Sequence, residues 1–568
     1  ADDDGGGPNP ATVDSRTSVV VTSSNDAPTA DAGGPYTIDA GMDLVVDATA
    51  TDPDPGTTFT YGWDLDRDGV SDFDTAAAMD TIPWMTLANL GFGPGTYDID
   101  LIVSDDQGAV GTDTTQLTIG GQFVFAPETD GWADLYTFRS TSGPGGLDFF
   151  EFVDTVTGQR ESWVVQTGIH SIVVFGSDDD DTLTIDFSSG ASTLPAGGFT
   201  FQGNGQAAED TLVLMGTRAA DSVVHTFFDA NSGLVDVTFD GATLTVNYSG
   251  LEPITDDLEA VARRFTFGDG SDQITLADEG TPNNGRLRLS SAGSSETVTF
   301  LAPTSSITIE ADRGGDGDDT VTIAALDGHF TGTVSVVGGG GNDRLDGSAA
   351  SVRLALEGGG GDDTLIGGAQ ADTLDGGAGT DQVEQTVDAN QTLTDSQLIG
   401  RAVDQIAGIE RAMLTGGAGA NVLDASVFSG AVTLDGGAGN DTLIGAAGDD
   451  SLIGGTGIDQ VQQAVDADQT LTNTLLTGWG QDTLSGIESA WMTGGAGANV
   501  LDASGFTWNS VTLDGGAGDD TLIGSLSSDS LIGGEGTDLV RQTVDANQTL
   551  TDTLLTGAGS DTLVGVEL

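Results

Sequence analysis

In the C-terminal half of this chain an apolar residue recurs every nine positions within stretches of Gly and Asp, as at Leu365, Leu374 and Val383. The surrounding phrase is cleanest at Gly358 to Ile366 and repeats at Gly367 to Asp375 and Gly376 to Glu384, reading Gly-Gly-x-Gly-x-Asp-x-apolar-x. This predicts a six-residue turn followed by a three-residue strand. The glycines permit positive φ in a tight turn, the Asp carboxylate points into the turn, and the single apolar side chain points inward. Two phrases make one eighteen-residue coil of a parallel β-solenoid. The triplet at 358, 367 and 376 returns 78 residues later at 436, 445 and 454, and 79 residues after that at 515, 524 and 533. The text between triplets repeats too, so each long unit could hold about four coils of eighteen to twenty residues.

Upstream the pattern changes. From about Thr29 to Ile119 short alternating stretches separated by turn signals predict a sandwich, as where Tyr97, Ile99, Leu101 and Val103 alternate with Asp98, Asp100 and Ile102. Residues 1–25 read as the end of a preceding β-domain, with a strand at Ser18 to Thr22, and 26–119 as the sandwich. Residues 120–337 carry a diluted phrase, complete at Gly314 to Thr322 and reduced to an acidic turn plus strand at Asp178 to Ile185 and Glu209 to Leu214. We read that stretch as degenerate solenoid, with a separate all-β domain as the alternative for 120–260 and a short capping helix at Pro253 to Arg264. Residues 338–568 are the regular repeats. The copy that starts at Thr551 breaks off at Leu568, and Ala1-Asp2-Asp3-Asp4 is not a natural start, so we expect a longer parent protein.

Charge narrows the function. The 568 residues carry 89 acidic against 15 basic side chains, a formal net charge of -74, and every basic residue is Arg. Such a surface excludes a groove for nucleic acid and favours cations as partners. Cys is absent, which excludes thiol chemistry and disulfides. No apolar run approaches the roughly 18 residues that span a bilayer. Stacked coils bring the Asp of one turn beside the turn eighteen residues later. Two carboxylates and turn carbonyls then form an all-oxygen cage suited to Ca²⁺. Without the ion the acids repel, so metal binding and folding should be coupled.

The nonapeptide resembles the RTX (haemolysin-type) calcium-binding repeat, which implies Ca²⁺ as cofactor. The expected pairs are Asp363 with Asp381, Asp441 with Asp459 and Asp520 with Asp538, helped by Gly358, Gly360, Gly376, Gly436, Gly454, Gly515 and Gly533. Asp372, Asp450 and Asp529 face the other edge, where sites would be partial, and Asp319 and Asp343 join the candidates although their neighbours are not nine apart. Asn421 and Asn499 replace Asp and should continue the ladder by hydrogen bonding, with weak or no metal binding. Ala32 to Tyr36, Tyr61 to Asp64, Gly95 to Tyr97 and Val103 to Asp105 resemble the PKD domain, an immunoglobulin-like sandwich that usually acts as a spacer or weak adhesive module. Within it Asp64, Asp66, Asp68, Gly69 and Asp72 copy the front of an EF-hand loop, but position twelve is Thr75 rather than Glu. A weak calcium site and an acidic hairpin tip both fit that loop.

Catalysis finds little support: no His-Glu-x-x-His, Gly-x-Ser-x-Gly or phosphate-cradling motif occurs, and His170, His225 and His329 are scattered. We therefore expect an all-β chain, a sandwich followed by a long solenoid, acting as a calcium-binding structural or adhesin-like region of a secreted or cell-surface protein. Cell-surface glycans or matrix are candidate partners, and type I secretion is the export route that the resemblance implies. The alternative is a secreted carbohydrate-active enzyme or glycan-binding protein carried on the same rod.

Overall fold

The computed structural model describes residues 24–566 apart from 127–132, 143–146, 178–179, 204–209, 252, 293–296 and 545. The strand expected at Ser18 to Thr22 lies outside the described residues, as do parts of the turns expected at Asp178 and Glu209. The chain forms two compact units, Ala1–Val124 with Ser162–Ile169, and Phe125–Glu161 with His170–Leu568.

In the first unit Phe59–Asp64 pairs antiparallel with Gly95–Asp105, which pairs antiparallel with Val110–Phe125. Tyr36–Ala40 runs parallel to that last strand, and Leu44–Asp47 pairs with Met79–Ile82 in a second sheet. The alternation along Gly95–Asp105 is as expected: Ile99, Leu101 and Val103 are buried, Asp98 is exposed, and half-buried Tyr97 donates its hydroxyl to Gly93 O at 2.9 Å. Trp63 is fully buried with Tyr36 edge-on at 6.1 Å. Burying such a ring contributes roughly 3 kcal/mol to the core of this unit. The unit is an immunoglobulin-like β-sandwich.

The second unit is a parallel β-solenoid built on two ladders. Thr333–Gly340, Arg353–Gly360 and Thr373–Ala378 stack in the first, and Arg344–Asp346, Thr364–Ile366 and Gln382–Thr386 in the second. Leu365, Leu374 and Val383 are each 0% exposed, so the lone apolar residue of the phrase does fill the core. Parallel pairing also runs through the diluted stretch, from Thr182–Asp186 with Thr211–Met215 to Ser306–Glu310 with Thr333–Gly340. The capping helix expected at Pro253 to Arg264 is instead two strands, Ile254–Asp256 and Ala260–Thr266. Each has parallel neighbours on both sides, and ladder hydrogen bonds on two edges outweigh local helix propensity.

Each long unit inserts a three-strand antiparallel meander: Gln391–Thr394, Gln397–Ile399 and Val403–Ala407 in the first ladder, then Gln469–Thr472, Leu475–Thr477 and Gln481–Ser485 in the second. The diluted stretch has the same device at Ala220–Asp229, Ser232–Phe239 and Ala242–Ser249, and again at Gln273–Asp278, Arg286–Ser291 and Val298–Leu301. Meanders thus alternate between ladders. The long repeat is correspondingly not four coils but an odd number of strand positions: Thr364–Ile366 lies in the second ladder, its copy Thr442–Ile444 in the first, and Thr521–Ile523 in the second again.

Candidate metal centres

Two kinds of Gly-Asp turn join the strands, and the backbone conformation at the second and fourth positions of the phrase separates them. In Gly358 to Asp363, the second and fourth glycines Gly359 and Gly361 have φ of 114° and 125°. The same pair is positive in the turns that end at Asp343, Asp381, Asp441, Asp459, Asp520 and Asp538. There the second N–H takes no bond to the Asp of its own turn. In the turn that ends at Asp372, φ is not in the left-handed region, and Gly368 N donates to Asp372 Oδ2 at 2.6 Å. Ala446 N to Asp450 Oδ2 at 2.7 Å and Ser525 N to Asp529 Oδ2 at 2.6 Å repeat this closure.

The consequence is a difference in what each carboxylate has left to offer. Asp372 Oδ1 accepts from Leu354 N at 2.7 Å, Asp450 Oδ1 from Val432 N at 2.9 Å and Asp529 Oδ1 from Val511 N at 2.9 Å, so both oxygens of these three acids are held by backbone N–H groups. Asp363 Oδ1 accepts from Asp343 N at 2.7 Å and Asp381 Oδ1 from Asp363 N at 2.8 Å, but Asp363 Oδ2 and Asp381 Oδ2 are buried with no donor among the described residues. The same holds for Oδ2 of Asp319, Asp343, Asp441, Asp459 and Asp520. A buried carboxylate oxygen without a donor is costly, and its presence in turn after turn marks a position where positive charge belongs.

The expected pairs are all brought together: besides Asp363 with Asp381, Asp441 N donates to Asp459 Oδ1 at 2.7 Å and Asp520 N to Asp538 Oδ1 at 2.9 Å. Asp319 and Asp343, spaced 24 residues apart, join the same ladder through Asp319 N to Asp343 Oδ1 at 2.8 Å. Burial raises the carboxyls of Asp363, Asp381, Asp441, Asp459 and Asp520, and pushes Asp319 to about 7 and Asp343 to about 6, with neighbouring acids adding to the effect. A Cβ on Gly358 would strike both Asp363 Oδ2 and the carbonyl oxygen of Gly376 in the next coil. Gly376, Gly436, Gly454, Gly515 and Gly533 stand in the same relation to their own Asp and the next coil's carbonyl. Gly360 differs, since its carbonyl accepts from Gly341 N at 2.8 Å. Buried carboxylate and carbonyl oxygens with no nitrogen or sulfur form a hard donor set, and that set fits Ca²⁺.

The Asn turns are built differently. Asn421 N donates to Asp441 Oδ1 at 2.7 Å, which continues the ladder, while Asn421 Oδ1 accepts from Gly417 N at 2.9 Å. Asp388, which the sequence reading did not single out, enters this turn and accepts from Gly419 N at 3.0 Å. Asn499 and Asp466 repeat the arrangement. In the sandwich, carboxylate oxygens of Asp64, Asp66 and Asp72 lie within 4.8 Å of one another, but Asp68 is left out and its Oδ1 accepts from Val70 N at 2.8 Å. Thr75, at the position where a calcium loop has Glu, donates its hydroxyl to Asp80. Of the histidines, His225 is buried against Asp256 at 3.1 Å and His329 reaches Asp327 at 2.9 Å.

The signal that separates the two turns was in the sequence. The turns of Asp343, Asp363, Asp381, Asp441, Asp459 and Asp520 have Gly at both the second and fourth positions, whereas those of Asp372 and Asp450 have Gln370 and Ala446 at one of them and that of Asp529 has Ser525 and Ser527 at both. Fold and turns together define a calcium-binding parallel β-solenoid joined to a β-sandwich. A family model of the PKD domain matches residues 25–119, and one of the RTX calcium-binding nonapeptide repeat matches residues 331–351, 355–383, 433–461, 512–540 and 549–565. The chain therefore carries a PKD domain and RTX repeats, structural or binding modules typical of secreted and surface proteins, with Ca²⁺ as the bound ion. No helix among the described residues is long and apolar enough to cross a membrane. No curated protein matches. Among solved structures, a Bacteroides ovatus mixed-linkage glucan utilization protein, SGBP-B, in complex with a mixed-linkage heptasaccharide aligns at 11% identity and a TM-score of 0.13. That alignment covers 49% of this chain and 62% of the other, less than two thirds of its length. A 1.5-MDa bacterial ice-binding adhesin aligns at 11% identity and a TM-score of 0.14, covering 49% of this chain and 85% of the other. Scores this low define no shared fold.

Proposed function

We propose that this chain is the calcium-stiffened, adhesin-like rod of a large secreted or cell-surface protein, acting as a structural and binding module and not as an enzyme. In this reading residues 26–119 are a spacer sandwich, 120–337 a degenerate solenoid stretch and 338–568 the calcium-dependent repeats. The observation that carries it is the row of buried Asp Oδ2 atoms without donors, at Asp343, Asp363 and Asp381 and again at Asp441 and Asp459. The metal ligands are these acids with Asp319, Asp520 and Asp538, and the carbonyls of the turns beside them. Asp372, Asp450 and Asp529 act as structural acids that close their own turns. A bound divalent cation supplies the positive charge that the buried carboxylates lack. The chain's part is to aim Oδ2 inward: positive φ at the second glycine turns its N–H away, and Oδ1 is held by the N–H of the preceding coil.

Where calcium is scarce, unbalanced acids and glycine entropy keep the repeats unfolded and exportable, by type I secretion. Outside the cell, sites of roughly 10⁻⁴ to 10⁻³ M affinity fill and the rod stiffens, able to hold out a glycan- or matrix-binding surface. Far-UV circular dichroism of the whole chain during a Ca²⁺ titration tests this. We expect a cooperative gain of β signal that chelator reverses and Mg²⁺ does not reproduce. A full β signal in chelator would sink the switch.

A further inference from the structure

One groove recurs at the same place in each long unit, and its chemistry changes from copy to copy. The first copy is lined by Glu384, Arg401 and Asp404, the second by Gln462, Trp479 and Asp482, and the third by Arg541 and Gln542. The 78-residue offset converts Glu384 to Gln462, Arg401 to Trp479, Asp404 to Asp482 and Met413 to Trp491. The first copy supplies its own cations. Arg401 donates to Ser348 O and Thr386 O, each at 3.0 Å, and Arg344 pairs with Glu384 at 3.1 Å. In the third copy Arg541 lines the groove, and Gln542 Nε2 donates to Asp561 Oδ2 at 3.0 Å.

The middle copy has neither device. No Arg or His lines it, and its volume is about 490 Å³. Asp482 at its wall is 2% exposed; Oδ1 accepts from Asp450 N at 3.1 Å, while Oδ2 receives no hydrogen bond from any described residue. Gln463, the counterpart of Gln542, is turned away and donates to Gln469 Oε1 and Thr477 O, both at 3.1 Å. The two indoles stand where the first copy has Arg401 and Met413, and Trp491 is 44% exposed. Indole faces attract cations, best where water is excluded, and the chain's net charge of -74 concentrates cations near it.

We propose that the middle groove is a binding site for a guanidinium-type organic cation, seated between Trp479, Trp491 and Asp482 in the place that the first copy fills with its own Arg401. This goes beyond the calcium reading and does not use the metal ligands. A neutral sugar would also stack on the indoles, but it would not account for the arginine that stands at this place in the first copy, where Arg401 aligns with Trp479.

The test is calorimetric titration of the calcium-loaded chain in 0.15 M salt with N-acetyl-argininamide, its neutral isostere N-acetyl-citrullinamide, methylguanidinium, the peptide Gly-Arg-Gly and cellotetraose. We expect one saturable site for argininamide, with citrullinamide at least tenfold weaker. Trp491→Ala, Trp479→Arg and Asp482→Asn should each lower the affinity about tenfold or more. Asn at 482 keeps an oxygen for Asp450 N, and Arg at 479 copies the first unit, so both variants should keep the parent's circular dichroism. Tighter binding of Gly-Arg-Gly than of methylguanidinium assigns the site to a peptide-borne arginine, and equal binding to a free cation; both support the proposal. Equal affinity for citrullinamide, saturation by cellotetraose in place of the cation, or unchanged affinity in Trp491→Ala and Trp479→Arg would overturn it.

Discussion

Asp363 and Asp372 occupy the same position of successive phrases, yet one has an unpartnered oxygen and the other has both oxygens held. Substitution should separate them. Asp363→Asn removes a buried charge while keeping an oxygen for Asp343 N, so in chelator it should melt no lower than the parent, and in calcium it should melt lower. Asp372→Asn puts an amide NH₂ where a backbone N–H needs an acceptor, so it should lose about 1–3 kcal/mol with or without calcium. Thermal melts in both conditions read the contrast, and equal calcium dependence of the two variants would refute the division. Titration gives a second test. Burial pushes Asp319 and Asp482 to about 7, and Asp343, Asp404 and Asp561 to about 6, from 3.8. Below about pH 4 these groups are protonated whether folded or not. As pH rises from there to about 7, the unfolded chain releases the protons first, so metal-free stability falls across that window and the loss is complete above it. Melts in chelator should therefore drop between pH 5 and pH 8, while the gap between calcium and chelator widens. A gap that narrows with rising pH would contradict the assignment of the unpartnered acids.

At the level of the turn and strand, backbone conformation decides which edge can hold metal, and glycine is what allows it. Gly439, fourth in its turn, has φ 127°, and a Cβ there would collide with Gly419 O. Gly448, also fourth in its turn, lies outside the left-handed region, with no atom nearer than 3.9 Å to an added Cβ. Gly439→Ala should cost more than the roughly 1–2 kcal/mol of the left-handed conformation, whereas Gly448→Ala should be neutral or stabilise by about 0.4–1 kcal/mol. Denaturant unfolding in calcium measures both. The six-plus-three phrase was legible because each repeat is local: its glycines, Asp and apolar residue act within nine positions of one another. Pairing of Asp441 with Asp459 followed from spacing alone. What was not legible depends on residues far apart in sequence. Asp388 reaches a turn about thirty residues away. The strand Ala260–Thr266 is fixed by its neighbours Ala220–Asp229 and Ser306–Glu310, not by its own pattern. Buried Arg263, which pairs with Asp256 and lies 5.2 Å over the Phe300 ring, looks in the sequence like any surface arginine. The alternation of ladders was hidden too, because a meander adds residues without adding coils.

Over the whole molecule the formal charge of -74 and the unpartnered acids act on different ranges. Net repulsion between exposed acids is long-ranged and falls with a Debye length of about 10 Å at 0.1 M salt, so any salt relieves it. The buried Asp Oδ2 atoms of the glycine turns are shielded from that atmosphere and need an ion inside the turn. Raising NaCl in chelator should thus recover only part of the calcium effect, and Mg²⁺ at equal ionic strength should do little more, since it demands octahedral geometry and gives up its water reluctantly. Hydrogen exchange can locate the two contributions. Because stacked coils contact chiefly their neighbours, chelation should open the amides around Asp363–Asp381, Asp441–Asp459 and Asp520–Asp538 first. The turns of Asn421 and Asn499, closed by their own amide and by Asp388 and Asp466, should stay protected longer. Added NaCl should slow exchange everywhere by a similar factor, whereas calcium should restore protection at the glycine turns specifically. Uniform loss of protection along 338–568 on chelation would mean that the repeats open as one unit, and that the division between metal-held and self-closed turns has no energetic weight.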